Sequence, residues 1–390
     1  MTDFEFENTI REIESEPLEI VVNREQSAFD EIAGPFKERL VLFGAGPLGR
    51  GILSGLRNAG VEPLCFVDNN QKLWGTNILG LRVFSPDEAI AAYGESACFV
   101  VTIYQGSAVR YQLASLRCPR VAPFAPLLWK YSDIFVPQSG IQLPHRFVEQ
   151  IALIRNCHAI LADDDSRREL REQLRWRYWL DYSAVSAGLE PHGTYFPMDL
   201  VAPNSEEVFV DCGAFDGDTI RSFNKHWGSK FRQAFAFEPD PANRASLVSS
   251  VKSLGLDSRV TIMPYAVANA NGPVFFANTS SASSHMTTGA AGASIESRRL
   301  DDIQWQVPPT YIKMDIESAE LEALAGAATL LRKHHPILAV CTYHRSEHLW
   351  QIPNLIHSIA PEYKLFLRRY AEDCWEGVCY AIPEHRLRSA

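Results

Sequence analysis

The sequence predicts an α/β chain with two mostly parallel sheets, and three observations carry the prediction. Short apolar runs alternate with helix-like stretches in two separate regions, at the spacing that helical crossovers between parallel strands require. In each region a glycine-rich turn follows the first apolar run and opens a helix. In each, an acidic residue closes the second run, Asp68 in one and Glu238 in the other.

The elements follow in order. Residues 1–38 read as an acidic N-terminal extension, without the basic-then-apolar sequence of a secretory signal. Residues 39–125 form the first domain, with strands at 39–43, 64–67 and 98–103, a helix opened by the glycine turn, and a helix at 108–116. Residues 126–194 are a linker with a connecting helix. That helix starts at the acidic run Asp163-Asp164-Asp165, which suits a helix N-terminus, and presents Leu170, Leu174 and residues 176–180 as its apolar side. Residues 195–390 form the second domain, with strands at 208–210, 234–237, 260–264, 310–314 and 337–341. Helix-like stretches at 217–226, 241–254 and 318–334 lie between them, and YKLFLRRY followed by EGVCYAI reads as a closing antiparallel hairpin. The serine- and alanine-rich stretch 279–294 reads as a loop, with His285 a candidate lid residue.

Composition narrows the function. At 390 residues, 46% hydrophobic and 22% charged, the chain has room for two cores and the balance of a soluble protein. A net charge of −10 argues against a sequence-independent grip on nucleic acid, which needs a basic face. No apolar run approaches the roughly 18–20 residues of a membrane span. Eight scattered cysteines without a CxxC pair fit reduced thiols and a cytoplasmic location.

The first glycine turn, Gly44-x-Gly46-x-x-Gly49 with Asp68 after the next strand, has the context of a dinucleotide fingerprint. It predicts a Rossmann-like domain whose ligand is a nucleotide, a nucleotide-sugar or nothing. The second turn differs in chemistry. Asp211 ends a strand, Gly213 and Gly217 let the backbone approach a ligand, and Asp216 and Asp218 add negative charge. Glu238, after the next strand, is placed to take two ribose hydroxyls. Acids around a glycine turn favour a cationic ligand over a phosphate.

At this point the sequence resembles a family, the FkbM-type methyltransferases, over roughly residues 195–383. VDCGAFDGDT, FEPD, YAVAN, RRLDDI and YIKMDIESAELEALAGA occur in order, followed by CTYHRSEHLWQIPNLI. The resemblance implies a class I methyltransferase sheet with an antiparallel final hairpin, hence two Rossmann-like domains in all. It also implies S-adenosylmethionine as cofactor and O-methylation of a sugar or other small-molecule hydroxyl. On that basis Asp211, Gly213, Ala214, Phe215, Asp216, Gly217, Asp218, Thr219, Glu238, Pro239 and Ala266 are the expected cofactor residues. Ser318 stands where the family pattern usually has glycine.

Methyl transfer asks the protein to align acceptor, methyl and sulfur and to relieve a hydroxyl of its proton. Asp315, at a strand end, and His344, just past the next strand, are the candidate catalytic residues, with His344 as base. Glu317, Arg345 and Trp350 are candidate acceptor contacts, and Arg368 and Arg369 are possible clamps for an anionic acceptor. A divalent metal on Asp315, Glu317 and His344 is compatible with the residue types and is not indicated by spacing alone. His344-Arg-Ser-Glu347-His348 matches an inverted zinc-peptidase pattern, but that chemistry requires the motif inside a long helix. Two rival readings stay open: an NAD(P)-linked oxidoreductase using Gly44–Gly49, and a non-catalytic nucleotide-binding scaffold. The oligomeric state is not legible.

Overall fold

The computed structural model describes residues 2–136, 140–183, 193–276, 286–287 and 293–388. The chain forms two compact units. The first comprises Met1–Ile151, Arg171–Gly188 and Ala371–Trp375; the second comprises Ala152–Leu170, Leu189–Tyr370 and Glu376–Ala390. The stretch read as a linker is therefore shared between the units, and the connecting helix, Asp164–Trp179, passes from one to the other. Among the described residues no helix is long and apolar enough to cross a membrane.

The first unit holds a six-stranded sheet of β1 (Leu40–Phe43), β2 (Cys65–Val67), β3 (Asn77–Ile78), β4 (Leu81–Phe84), β5 (Cys98–Val101) and β6 (Val121–Pro123), in the order β3-β4-β2-β1-β5-β6. All pairs are parallel except β3 with β4. The sequence reading missed β3, β4 and β6, which are short and only partly buried, unlike the continuous apolar runs of β1, β2 and β5. The acidic extension is two helices, Thr2–Ser15 and Leu18–Ala33, which bury Phe6, Ile10, Ile13, Val21 and Phe29. Those five recur at helical spacing, which places them on one face of each helix.

The second unit contains β7 (Val208–Cys212), β8 (Gln233–Phe237), β9 (Val260–Met263), β10 (Ala266–Val267), β11 (Gly272–Phe276), β12 (Met286–Thr287), β13 (Ala293–Arg298), β14 (Tyr311–Met314), β15 (Ile337–Cys341), β16 (Lys364–Arg369) and β17 (Gly377–Ile382). Seven of these form one sheet in the order β16-β17-β15-β14-β7-β8-β9. The hairpin is antiparallel and β17, the last strand, inserts between β15 and β16 and runs against both. This is the class I arrangement expected from the sequence. A small second sheet, β10-β13-β11-β12, was not foreseen. Its strand β12 falls inside the stretch read as a loop; His285 lies outside the described residues.

β7, β14 and β15 are buried along their whole length, as strands covered on both faces must be. One face carries an aromatic cluster of Phe196, Phe209, Phe223, Trp227 and Tyr311, with Phe209 stacked on Phe223 at 4.3 Å. The stretch 318–334 is two helices, Glu320–Ala325 and Ala328–His334, rather than one. Gly326 separates them, and a Cβ there would lie 2.1 Å from the carbonyl oxygen of Ala268. The close approach to that backbone fixes where the first helix stops.

Candidate active site

The C-terminal ends of β7, β8 and β14 open onto a cavity of about 250 Å³. Parallel strands of an open sheet deliver their loops to this edge, so ligands collect there. Its walls come from the glycine turn (Gly213, Phe215, Asp218, Thr219), from the end of β8 (Phe237, Glu238, Pro239, Asp240), from Tyr265–Val267, and from Lys313, Asp315, Glu317 and Tyr343.

The glycine turn is shaped by contact with the neighbouring strand. Gly213 has φ +81°, and a Cβ on it would stand 2.0 Å from the Asp315 carbonyl oxygen. No other residue lets β7 and β14 end side by side here. Gly217, also left-handed at φ +87°, caps the helix Asp218–Trp227. The Glu238 carboxylate closes the turn from the side: Oε2 accepts the Phe215 N–H at 2.9 Å and Oε1 accepts the Asp240 N–H at 2.8 Å. Burial raises the Glu238 pKa, and these two backbone donors oppose the shift.

Beneath the cavity lies an ion pair. Asp211 is 0% and Lys313 1% exposed, with Lys313 Nζ 3.0 Å from Asp211 Oδ1. Lys313 Nζ also donates to the carbonyl oxygens of Gly213 (2.7 Å) and Cys212 (3.3 Å), and stands over the Tyr195 ring. Burial works against the charge on Lys313, but Asp211 and Asp315 outweigh it and its pKa is raised. Burial pushes the Asp211 carboxyl up to about 7 against the pull of Lys313. Asp211 was expected to meet a ligand's ammonium group. It does not line the cavity, and its cationic partner is Lys313.

Beside the pair runs a chain of charges that the sequence reading only half anticipated. The Tyr195 hydroxyl donates to Asp315 Oδ2 at 2.8 Å, and His344 Nε2 lies 3.2 Å from Asp315 Oδ1. His344 Nδ1 stands 2.8 Å from Oε1 of the fully buried Glu320, whose Oε2 is 3.3 Å from His348 Nδ1. Glu320 Oε1 also accepts the Ile316 N–H at 3.0 Å, fixing the turn after β14. Burial opposes the charge on His344, yet Glu320 and Asp315 raise its pKa well above the usual imidazole value. Burial likewise opposes the charges on Asp315 and Glu320. Lys313 and His344 nevertheless hold Asp315 well below the carboxylate range, and His344 brings Glu320 down to about 2. His344, expected as the base, therefore stands as a cation between carboxylates, with its proton strongly held.

Glu317 is different. It lines the cavity, and burial raises its carboxyl to about 7, with His344 pulling it down and Asp315 pushing it up. Its backbone and that of Ser318 are left-handed, at φ +52° and +84°. The serine thus occupies a conformation that favours the glycine of the family pattern.

Seven of the eleven expected cofactor residues line the cavity: Gly213, Phe215, Asp218, Thr219, Glu238, Pro239 and Ala266. Besides Asp211, three others do not. Ala214 is buried in the core, Gly217 serves as helix cap, and Asp216 pairs with Arg221 at 2.9 Å on the surface. Trp350 is a core residue with 0% exposure, and Arg345 is exposed away from the lining. The two arginines offered for an anionic acceptor are engaged elsewhere, Arg368 with Asp163 at 2.6 Å and Arg369 with Glu169 at 2.7 Å. Among the described residues no group of three or more His, Cys, Asp or Glu side chains is arranged to hold a metal ion. Missed by the sequence reading were Lys313, Tyr195, Glu320, Asp240, Asn243, Tyr265 and Tyr343. Lys313 sits on a strand buried along its whole length, where alternation does not mark a site residue.

In the first unit, Asp68 Oδ2 accepts the Ala45 N–H at 2.9 Å and Oδ1 accepts the Asn70 N–H at 2.8 Å. Gly44 and Gly46 sit between β1 and the helix Pro47–Asn58, and Gly49 lies in the first turn of that helix, as their spacing predicts.

Comparison with known proteins agrees with this geometry. Residues 211–374 match the family model of the methyltransferase FkbM domain. The crystal structure of methyltransferase FkbM from Methylobacillus flagellatus is similar at TM-score 0.75 and 23% identity, over 97% of this chain and 99% of that one, which shows the fold. Lower similarity extends to an rRNA methylase from Streptococcus thermophilus (TM-score 0.31, 10% identity, 47% of this chain and 90% of that one). It extends also to the SAH-bound methyltransferase PaMTH1 of Podospora anserina (TM-score 0.28, 9% identity, 60% and 87%). No curated protein matches the chain. Sheet order, glycine turn and family model coincide on the same stretch, residues 211–374, which matches the methyltransferase FkbM domain.

Proposed function

We propose that the second unit transfers the methyl group of S-adenosylmethionine to a hydroxyl oxygen of a small molecule, a sugar or secondary metabolite, in the cytoplasm. The observation that carries this reading is the charge of the cavity. Asp218, Glu238, Asp240, Asp315 and Glu317 line it, against a single lysine that is already paired with Asp211. Such a wall repels a pyrophosphate and attracts a sulfonium with an ammonium group. Each Glu238 oxygen accepts one backbone N–H and keeps a lone pair for a ribose hydroxyl. Tyr265, Ala266 and Val267 offer an apolar slot for an adenine ring. Carboxylates that can receive a hydroxyl proton stand in the same cavity, which supports an oxygen acceptor. The acidic lining and the net charge of −10 both speak against a nucleic-acid acceptor.

The test is ligand-induced stabilisation by S-adenosylhomocysteine and by NADH, on the wild type and on Glu238→Ala. At about a hundred times its dissociation constant a ligand stabilises by roughly 2.7 kcal/mol. Stabilisation by S-adenosylhomocysteine that Glu238→Ala removes is the expected result. Stabilisation by NADH alone would transfer the active role to Gly44–Gly49 and sink the proposal.

A further inference from the structure

Two carboxylates, Asp315 and Glu317, line the cavity two residues apart, and their surroundings give them different chemistry. Both Asp315 oxygens are engaged, Oδ2 by the Tyr195 hydroxyl and Oδ1 by His344 Nε2. His344 is itself anchored through Nδ1 on Glu320. Neither Asp315 nor His344 is free to receive a proton: the first is held as an anion by three donors and cations, the second already carries its proton. Among the described residues Glu317 accepts no hydrogen bond. The nearest cation is His344 Nε2, 3.8 Å away, and 29% of the Glu317 side chain remains exposed. Its backbone is held left-handed together with Ser318, a costly conformation for two successive non-glycine residues, and the Glu320 carboxylate pins the turn at Ile316.

We propose that Glu317 faces the methyl-transfer position and takes the proton of the acceptor hydroxyl. This rests on the S-adenosylmethionine reading above. As the acceptor oxygen attacks, the new O–C bond forms while the C–S bond breaks and its electron pair stays on sulfur. The sulfonium becomes a neutral thioether, and the hydroxyl proton passes to the Glu317 carboxylate. Burial brings that carboxyl to about 7, so it has both a deprotonated population and appreciable basicity near neutrality. His344, as a fixed cation beside it, limits how far the pKa climbs.

The probes are S-adenosylhomocysteine, with a neutral thioether at the reacting centre, and sinefungin, with a positively charged amine where the methyl would be. Calorimetric titrations of both into wild type and Glu317→Gln, at pH 6 and pH 8, separate the possibilities. The expected result is that S-adenosylhomocysteine binds both proteins alike, which also reports that the variant is folded. Sinefungin should lose about tenfold in affinity in Glu317→Gln, equivalent to about 1.4 kcal/mol. In the wild type its advantage over S-adenosylhomocysteine should grow from pH 6 to pH 8, as Glu317 loses its proton. An unchanged sinefungin-to-S-adenosylhomocysteine ratio in Glu317→Gln overturns the proposal while leaving the cofactor reading intact. Failure of both ligands to bind the wild type overturns the cofactor reading and this proposal with it.

Discussion

Replacing Lys313 by methionine tests the electrostatic floor of the site. The side chain is 1% exposed and neutralises Asp211, which has no exposed surface at all. Methionine keeps most of the volume and removes the charge, so the loss is electrostatic rather than a cavity effect. Breaking a buried pair from one side costs about 3–5 kcal/mol, because the remaining charge is left without compensation. Two further losses add to this, the donations to the Gly213 and Cys212 carbonyls. In a unit of this size each kcal/mol is worth roughly 2–4 °C in melting temperature. The deficit should depend on pH with a definite sign. In the wild type burial already holds the Asp211 carboxyl at about 7, above its ordinary 3.8, against the pull of Lys313, and removing Lys313 raises it further. A raised folded pKa gives stability that is present at low pH and lost as pH rises through that value, so Lys313→Met should be penalised less at pH 5 than at pH 8. Because the chain has two compact units, one global unfolding energy is not defined, and hydrogen exchange of peptides spanning 208–215 and 311–317 is the appropriate reading. Adding Asp211→Asn should recover much of the loss. A Lys313→Met variant within about 1 kcal/mol of wild type at both pH values would show that the pair is not the support described, and that Asp211 is protonated or solvated.

Two other outcomes follow from the same turn. Ser318→Gly should stabilise the second unit by about 1 kcal/mol, the relief of a left-handed non-glycine residue less the extra chain entropy of glycine, as read by the same peptides. A destabilised variant would mean that the serine side chain holds the turn. Glu320, lowered to about 2 from 4.5, contributes stability that is present above pH 4.5 and lost as pH falls toward 2. Glu320→Gln should therefore flatten the acid limb of the stability curve by up to about 3 kcal/mol, and an unaltered acid limb would refute the assignment.

The parts of the site that were legible in the sequence are those set by local spacing. A strand, a glycine turn and a helix place Gly213, Phe215, Asp218 and Thr219 together whatever the rest of the chain does, and the acid after the next parallel strand must come alongside. Glu238 obeyed that rule. Asp211 did not behave as expected for a physical reason: β7 is buried on both faces, so alternation gives no indication of which face a residue takes. Its partner, Lys313, sits on β14, beside β7 in the sheet but 102 residues later, and the pairing exists only through the register that sets Lys313 opposite Asp211. Tyr195 and Glu320 were invisible for the same reason. Arg368 and Arg369 looked available because sequence shows a charge and not its partner, and Asp163 and Glu169 are about two hundred positions away.

The two glycine turns together separate what a fingerprint requires from what it signifies. In the first unit a Cβ on Gly49 would lie 1.9 Å from the Gly44 carbonyl oxygen, so close packing of helix on strand demands that glycine with or without a ligand. In the second unit Gly213 is demanded by the Asp315 carbonyl. Each turn is also tied by an acid from the next strand to its own backbone, Ala45 N–H to Asp68 and Phe215 N–H to Glu238, both at 2.9 Å. Gly49, Gly213 and the two acids are thus accounted for by the fold, whereas Gly46 has open space where a Cβ would stand and is not; the same device, the tie from acid to turn, serves both units. What distinguishes the second is the set of residues the device does not need: Asp218, Asp315, Glu317 and Tyr343 around one cavity. Glu317 in particular is not required to build the turn: among the described residues its carboxylate accepts no hydrogen bond, whereas that of Asp218 accepts the Thr219 N–H at 2.7 Å in the first turn of the helix Asp218–Trp227. A carboxylate kept at a partly dehydrated wall without a structural task costs stability, and Glu317 is the one lining carboxylate of this cavity for which the hydrogen bonds of the fold give no account.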